Sequence, residues 1–116
     1  MTVEPGIART PEPPYVAVIF TSTRTPGDSG YAVMAASMEQ LAAEQPGYLG
    51  IEAAREGLGI TVSYWRDEES ARDWKRVAAH LVAQQRGRDA WYLDYTVRIA
   101  TVTRAYTMAD SALDGH

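Results

Sequence analysis

Trp65, Trp74 and His80 fall close together in the chain, with Tyr64 and Arg66 flanking the first and Gln84 following the last. These residue types supply aromatic walls, indole N–H donors, a phenol, a guanidinium suited to an anion, and an imidazole that titrates near neutrality. Such a set belongs to a pocket for an organic ligand with proton traffic beside it. Each member also has a plain structural reading. Trp65 can plug the junction between a strand and a helix, and Trp74 can be core. His80 can be a surface or half-buried residue, and Tyr64 can simply pack on a sheet. Competing chemistries fail on composition or spacing. The chain has no cysteine, and its two histidines are His80 and the terminal His116, which leaves little for a metal centre. Glu68 and Glu69 are adjacent on a helix surface and cannot face each other as an acid/base pair. Gly57-Leu58-Gly59 reads as a hairpin rather than a phosphate loop. No Ser/His/Asp order rises above chance.

The elements that position these residues are legible from 58 to 84. Ile60, Val62 and Tyr64 alternate with Thr61, Ser63 and Trp65, the period-two pattern of a strand with two faces. Asp67 then offers an N-cap, with Glu68 and Glu69 as first-turn partners for the helix dipole. From Ala71 the apolar period becomes helical through Trp74, Val77, Ala78 and Leu81. A strand running straight into a helix, with a Trp near each side of the junction, predicts a pocket where sheet and helix meet. At 100° per residue, His80 lies roughly 120° from Trp74, on the flank of that helix beside Asp73, Val77 and Gln84.

The rest of the chain follows in order. Residues 1–14 carry Pro5, Pro11, Pro13 and Pro14 and read as a flexible or extended arm. Tyr15 to Thr23 is β-rich, and a loop with Asp28 or Ser29 as cap opens a helix over 30–44. Its buried stripe is Tyr31, Met34, Met38, Leu41 and Ala42, and Pro46-Gly47 stop it. A strand over 48–55 turns at Glu56-Gly57 into the strand already described, as an antiparallel hairpin. The second helix ends near Gly87, and 88–92 form a connector. The last strand is expected over 94–106, with Tyr95, Val97, Ile99, Thr101 and Thr103 on one side. Thirteen residues exceed the usual strand length of ~5–6, so it is expected to project and pair with another chain. The polar tail 107–116 frays.

This β-α-β-β-α-β order is the split βαβ of the ferredoxin-like α+β fold, with both helices on one face of a four-stranded antiparallel sheet. Apolar side chains on the other face predict a twofold homodimer with the sheets packed together. At 116 residues the chain holds one domain, over 15–106. The net charge of −4 excludes the clustered cations of a nucleic-acid footprint. No apolar run approaches the ~18 residues of a membrane span, and no signal pattern opens the chain. A cytoplasmic location is the expectation.

Three stretches together resemble a known family: YVAVIFTS in the first strand, PGYLGIEAAR in the second, and ITVSYWRDEESARDWKRVAAH across the third strand and second helix. They are similar to the antibiotic biosynthesis monooxygenase (ABM) domain over about 15–106. The most specific part is a strand-ending Trp, an acidic turn and a second Trp nine positions later, here Trp65 and Trp74. The resemblance implies a dimeric α+β barrel. For some members it also implies oxygenation of polycyclic phenols without metal or flavin, the substrate supplying the electrons. On that reading Trp65, His80 and Arg66 are the catalytic candidates, Trp65, Trp74, Tyr64 and Gln84 contact a small aromatic substrate, and no cofactor is required. Other members degrade heme, using an axial His where this chain has Gln84 and an Asn that this chain lacks. The cofactor-free members also use an Asn, which Thr61 or Ser63 would replace, and an Arg, for which Arg66, Arg98 and Arg104 are candidates. A non-catalytic dimeric binding or accessory protein and a heme-binding protein are the alternatives to an oxygenase.

Overall fold

The computed structural model describes residues 6–28, 30–84 and 91–110. The elements run β1 (Tyr15–Arg24), α1 (Tyr31–Ala43), β2 (Tyr48–Glu56), β3 (Leu58–Trp65), α2 (Glu68–Gln84) and β4 (Tyr92–Val102). All three strand pairings are antiparallel, in the order β2-β3-β1-β4, which is the ferredoxin-like α+β arrangement expected. The expected helix end near Gly87, most of the following connector, the Ser29 cap and the tail beyond Asp110 lie outside the described residues.

Local chemistry explains the boundaries. The Asp67 carboxylate accepts the Ser70 backbone N–H at 2.8 Å, the cap that starts α2. For α1 the N-cap is Gly30, with φ of 85°, rather than the expected Asp28; the Asp28 carboxylate, two residues earlier, still accepts from the backbone N–H groups of Gly30 and Ala32 at 2.9 and 3.1 Å. Gly57 turns the β2–β3 hairpin with φ of 77°, a conformation that costs glycine little. The last strand differs from expectation. It begins at Tyr92 and ends at Val102, shorter than the expected 94–106 at its end, and pairs with β1 from Arg24 to Tyr15. Pairing with β1, rather than β-propensity along the sequence, sets its length.

Register sorts the side chains into two faces. Val16, Val18, Phe20 and Ser22 of β1 share a face with Trp65, Ser63, Thr61 and Gly59 of β3, respectively opposite them. That face meets the helices. Its core is Val16, Val18, Ala42, Trp65, Ala71 and Trp74, with Met38, Leu41, Tyr48 and Val77 packed around it. The outer face carries Tyr15, Ala17, Ile19, Val62 and Tyr64. Part of it is covered by the chain's own N-terminal segment. The Ala8 backbone N–H donates to Glu52 at 2.9 Å, and Thr10 donates to the Tyr15 hydroxyl oxygen at 2.9 Å. Gly50 leaves room for this segment, since a Cβ there would stand 2.8 Å from the Ala8 Cβ.

Candidate functional site

Between the sheet and both helices lies a cavity of about 720 Å³, a size suited to an organic ligand. Sheet residues Val18, Phe20, Thr61, Ser63 and Val97 floor it, and Tyr31, Met34 and Met38 of α1 roof it together with Trp74, Ala78 and Val82 of α2. The expected cavity had one helical wall; the structure gives it two. The second wall is α1, whose Met34 and Met38 line the same space.

The tryptophans close one end. Trp65 is fully buried, and its ring stacks on Trp74 with centroids 5.6 Å apart and 23° between planes. Its indole N–H donates to the Ser63 hydroxyl at 2.9 Å, so the donor expected to meet a ligand is already satisfied inside the protein. Tyr48 meets Trp65 edge-on at 5.7 Å. Trp65 therefore backs Trp74, and of the two indoles Trp74 is the one on the cavity wall.

The other sequence-derived candidates are scattered. Tyr64 lies on the outer face, donating to Glu52 at 2.6 Å and meeting Tyr15 edge-on. Burial, and then the Glu52 carboxylate, raise its phenol well above the ordinary range. Arg66 is exposed and pairs with neighbouring Asp67 at 3.3 Å. His80 and Gln84 are exposed on α2 and do not line the cavity. Period two and the helical angle explain both outcomes. Tyr64 and Trp65 alternate, so one pocket cannot take both, and His80 stands on the flank its spacing indicated. Arg98 pairs with Ile19 on the outer face, and Arg104 lies beyond β4 against Tyr106. Of the candidate site residues, then, the structure brings Trp65 and Trp74 together and separates the rest.

The opposite end of the cavity was not singled out from sequence. Register places Arg55, Gly59, Ser22 and Tyr95 in one row across β2, β3, β1 and β4. The Arg55 guanidinium crosses Gly59 and donates to the Ser22 hydroxyl and, at 3.4 Å, to its carbonyl. A Cβ on residue 59 would occupy the guanidinium's place. Phe20, Tyr92 and Tyr95 cluster beside this row, with centroids 5.3 to 5.8 Å apart. Tyr31 meets Tyr92 edge-on at 5.9 Å and carries the Arg24 guanidinium 3.6 Å above its ring. Burial first, then the neighbouring Tyr31 phenol, raise Tyr92 above the ordinary phenol range, so it stays protonated at neutral pH. The charged residues among the described lining are Glu39, Arg55 and Lys75. No cluster of three or more potential metal ligands occurs among the described residues. Among them, too, no helix is long and apolar enough to cross a membrane.

Comparison with known proteins agrees with this architecture. The profile of the family described as antibiotic biosynthesis monooxygenase matches residues 14–86. The uncharacterized protein YqjZ of Bacillus subtilis is 44% identical over 110 residues, covering 93% of this chain and 96% of its own length. A jasmonate monooxygenase of Pyricularia oryzae is 34% identical over 92 residues. That match covers 75% of this chain and only 43% of the fungal protein. Among solved structures, SnoaB, a cofactor-independent oxygenase from Streptomyces nogalater, superposes with a TM-score of 0.60 at 16% identity. It covers 83% of this chain and 98% of SnoaB, a likeness of fold.

Proposed function

Because the chain belongs to the antibiotic biosynthesis monooxygenase family, we propose that its cavity binds a small aromatic or polycyclic molecule and oxygenates it with dioxygen, the substrate supplying the electrons. The observation that carries this reading is the apolar cavity walled by Trp74, Met34, Met38 and Val18, open enough to admit a fused-ring body. Some relatives and fold neighbours bear monooxygenase or oxygenase names, which supports the reaction class.

The chemistry balances without a further reductant. An ionised phenolic substrate is electron-rich, and its activated carbon forms a bond to O₂. Loss of the carbon's hydrogens then leaves one oxygen as a carbonyl, while the other departs as water. The apolar walls keep water away from the carbanion-like intermediate. At the polar end Tyr92 lines the cavity, and we assign its phenol as the donor to a developing oxyanion. Ser63 holds the Trp65 indole, which holds Trp74 against the cavity, so the strand-ending Trp acts as a positioning residue. His80 and Gln84 are away from the wall, and no histidine stands among the described lining residues, so nothing favours the heme reading. We assign the outer sheet face to a second copy of this chain. Ile60 is 41% exposed there, Val62 and Ile19 are half-buried, and β4 has no second strand partner in this sheet.

Oxygen uptake with an anthrone substrate tests the activity. The wild-type chain consumes O₂ stoichiometrically with anthrone, and Ala78→Trp, which fills the cavity, slows uptake at least tenfold. Uptake equal in the two proteins, or absent from both, overturns the oxygenase reading. Ligand binding without turnover leaves a binding module.

A further inference from the structure

We propose that Arg55 recognises an oxyanion on the ligand, so that the cavity selects apolar molecules bearing an ionised acid, such as a carboxylate, over neutral molecules of the same shape. The inference rests on the cavity being a ligand site and names the class of ligand it takes.

The arginine has been given a place of its own. Its guanidinium lies across the sheet only because residue 59 is glycine, in the same row. It is anchored at the far side by Ser22, which is 2% exposed. Besides Ser22 it lies 5.7 Å from the Tyr31 ring, and no carboxylate pairs with it among the described residues. The side-chain ion pairs among the described residues are Arg66–Asp67, Arg72–Glu68 and Arg76–Asp73, none of which involves Arg55. A guanidinium carries five N–H donors, and the Ser22 contacts leave several for an incoming acid. Arg24, which meets the same phenols, is committed: it stacks on Tyr31 and donates to the carbonyls of Trp91, Gly27 and Asp28. The other charged lining residues, Glu39 and Lys75, belong to the helices, so Arg55 is the sheet's one cation among the described lining.

The setting gives the ligand a polarity. The acid meets Arg55 and the apolar body extends toward Trp74, so a molecule charged at one end and apolar along its length fits both halves. Planar guanidinium matches carboxylate oxygens in pairs, which favours an acid over an isolated hydroxyl. Arg55 is more than a third exposed, so solvent screens it and the selectivity expected is about tenfold rather than thousands.

A matched pair of fluorescent probes tests this: 1-anilinonaphthalene-8-sulfonate, which is anionic, and its uncharged parent N-phenyl-1-naphthylamine. Arg55→Met weakens the anionic probe about tenfold and leaves the neutral one within twofold. Arg98→Met, the same charge change on the outer face, alters neither. In competition at pH 7, 2-naphthoate loses about tenfold in Arg55→Met, while uncharged 2-naphthol competes equally in both proteins. Gly59→Ala keeps the charge but displaces the guanidinium, and gives the same selective loss should Arg55→Met fold poorly. Equal loss of both probes in either folded variant, or no loss of the anionic one, overturns the assignment while leaving the cavity reading intact. If neither probe binds the wild-type chain, the cavity reading itself falls and this inference falls with it.

Discussion

The two ends of the cavity are built on opposite principles. At the tryptophan end, Trp65, Trp74, Val16 and Ala71 are buried together, and the Trp65 indole nitrogen is satisfied by Ser63. At the arginine end, the Tyr95 phenol, a guanidinium and a buried serine share one row, and the cation lacks a carboxylate partner among the described residues. The first arrangement stabilises the fold and gives a ligand only the face of Trp74. The second contributes little to the core and leaves unused hydrogen-bonding capacity facing a cavity. Stability and recognition are therefore separated along the same sheet, from the Val16–Trp65 pair to the Ser22–Gly59 pair.

A glycine at each end sharpens the contrast. Gly47 has φ of 83°, and a Cβ there would stand 2.7 Å from the Ser70 Cβ at the start of α2. Gly59 would meet only the far end of the Arg55 side chain, which can move.

The largest effect expected is from Trp65→Ala, which empties the tryptophan end and should cost about 3–5 kcal/mol, read as a shift in the urea midpoint. Such a loss is a large fraction of a small domain's stability. A loss below about 1 kcal/mol would mean that this end is not the core. Next comes the glycine pair. Gly47→Ala is expected to destabilise by about 2–3 kcal/mol through backbone strain and overpacking. Gly59→Ala should leave the denaturation midpoint almost unchanged while weakening anionic ligands. Equal destabilisation by both would erase the distinction between the ends.

The smallest effect is one of pH. Hydrogen bonds from the Ser70 backbone and hydroxyl, and then Arg66, hold the Asp67 carboxyl below the ordinary aspartate range. The folded state therefore prefers the ionised form. Its contribution is complete above the unfolded-state value and is lost as pH falls through the lowered folded-state value. Asp67→Asn should flatten that part of the stability profile slightly. An unchanged profile would remove the carboxylate from the cap.

Much of the fold was legible because each element announces its own period. Trp74 was legible for the same reason, since a large aromatic on a helical stripe must face the sheet. The arginine end was not legible. Arg55, Ser22 and Tyr95 are far apart in sequence, and only strand register brings them into one row. Gly59 belongs to the β2–β3 hairpin as its sequence indicates, but nothing local shows that it also clears a path for the Arg55 side chain. Tyr64 and Trp65 were both drawn toward one pocket although alternation forbids it. His80 drew notice for its chemistry, which says nothing about where a helix flank points.

The most direct test uses the methionine methyls. Met34 and Met38 line the cavity, whereas Met108 is 87% exposed away from it. With methyl-¹³C methionine and a bound naphthalene ligand, intermolecular NOEs should appear from the Met34 and Met38 methyls and be absent from Met108. A ligand that binds without touching either cavity methyl would place the site elsewhere and contradict the account.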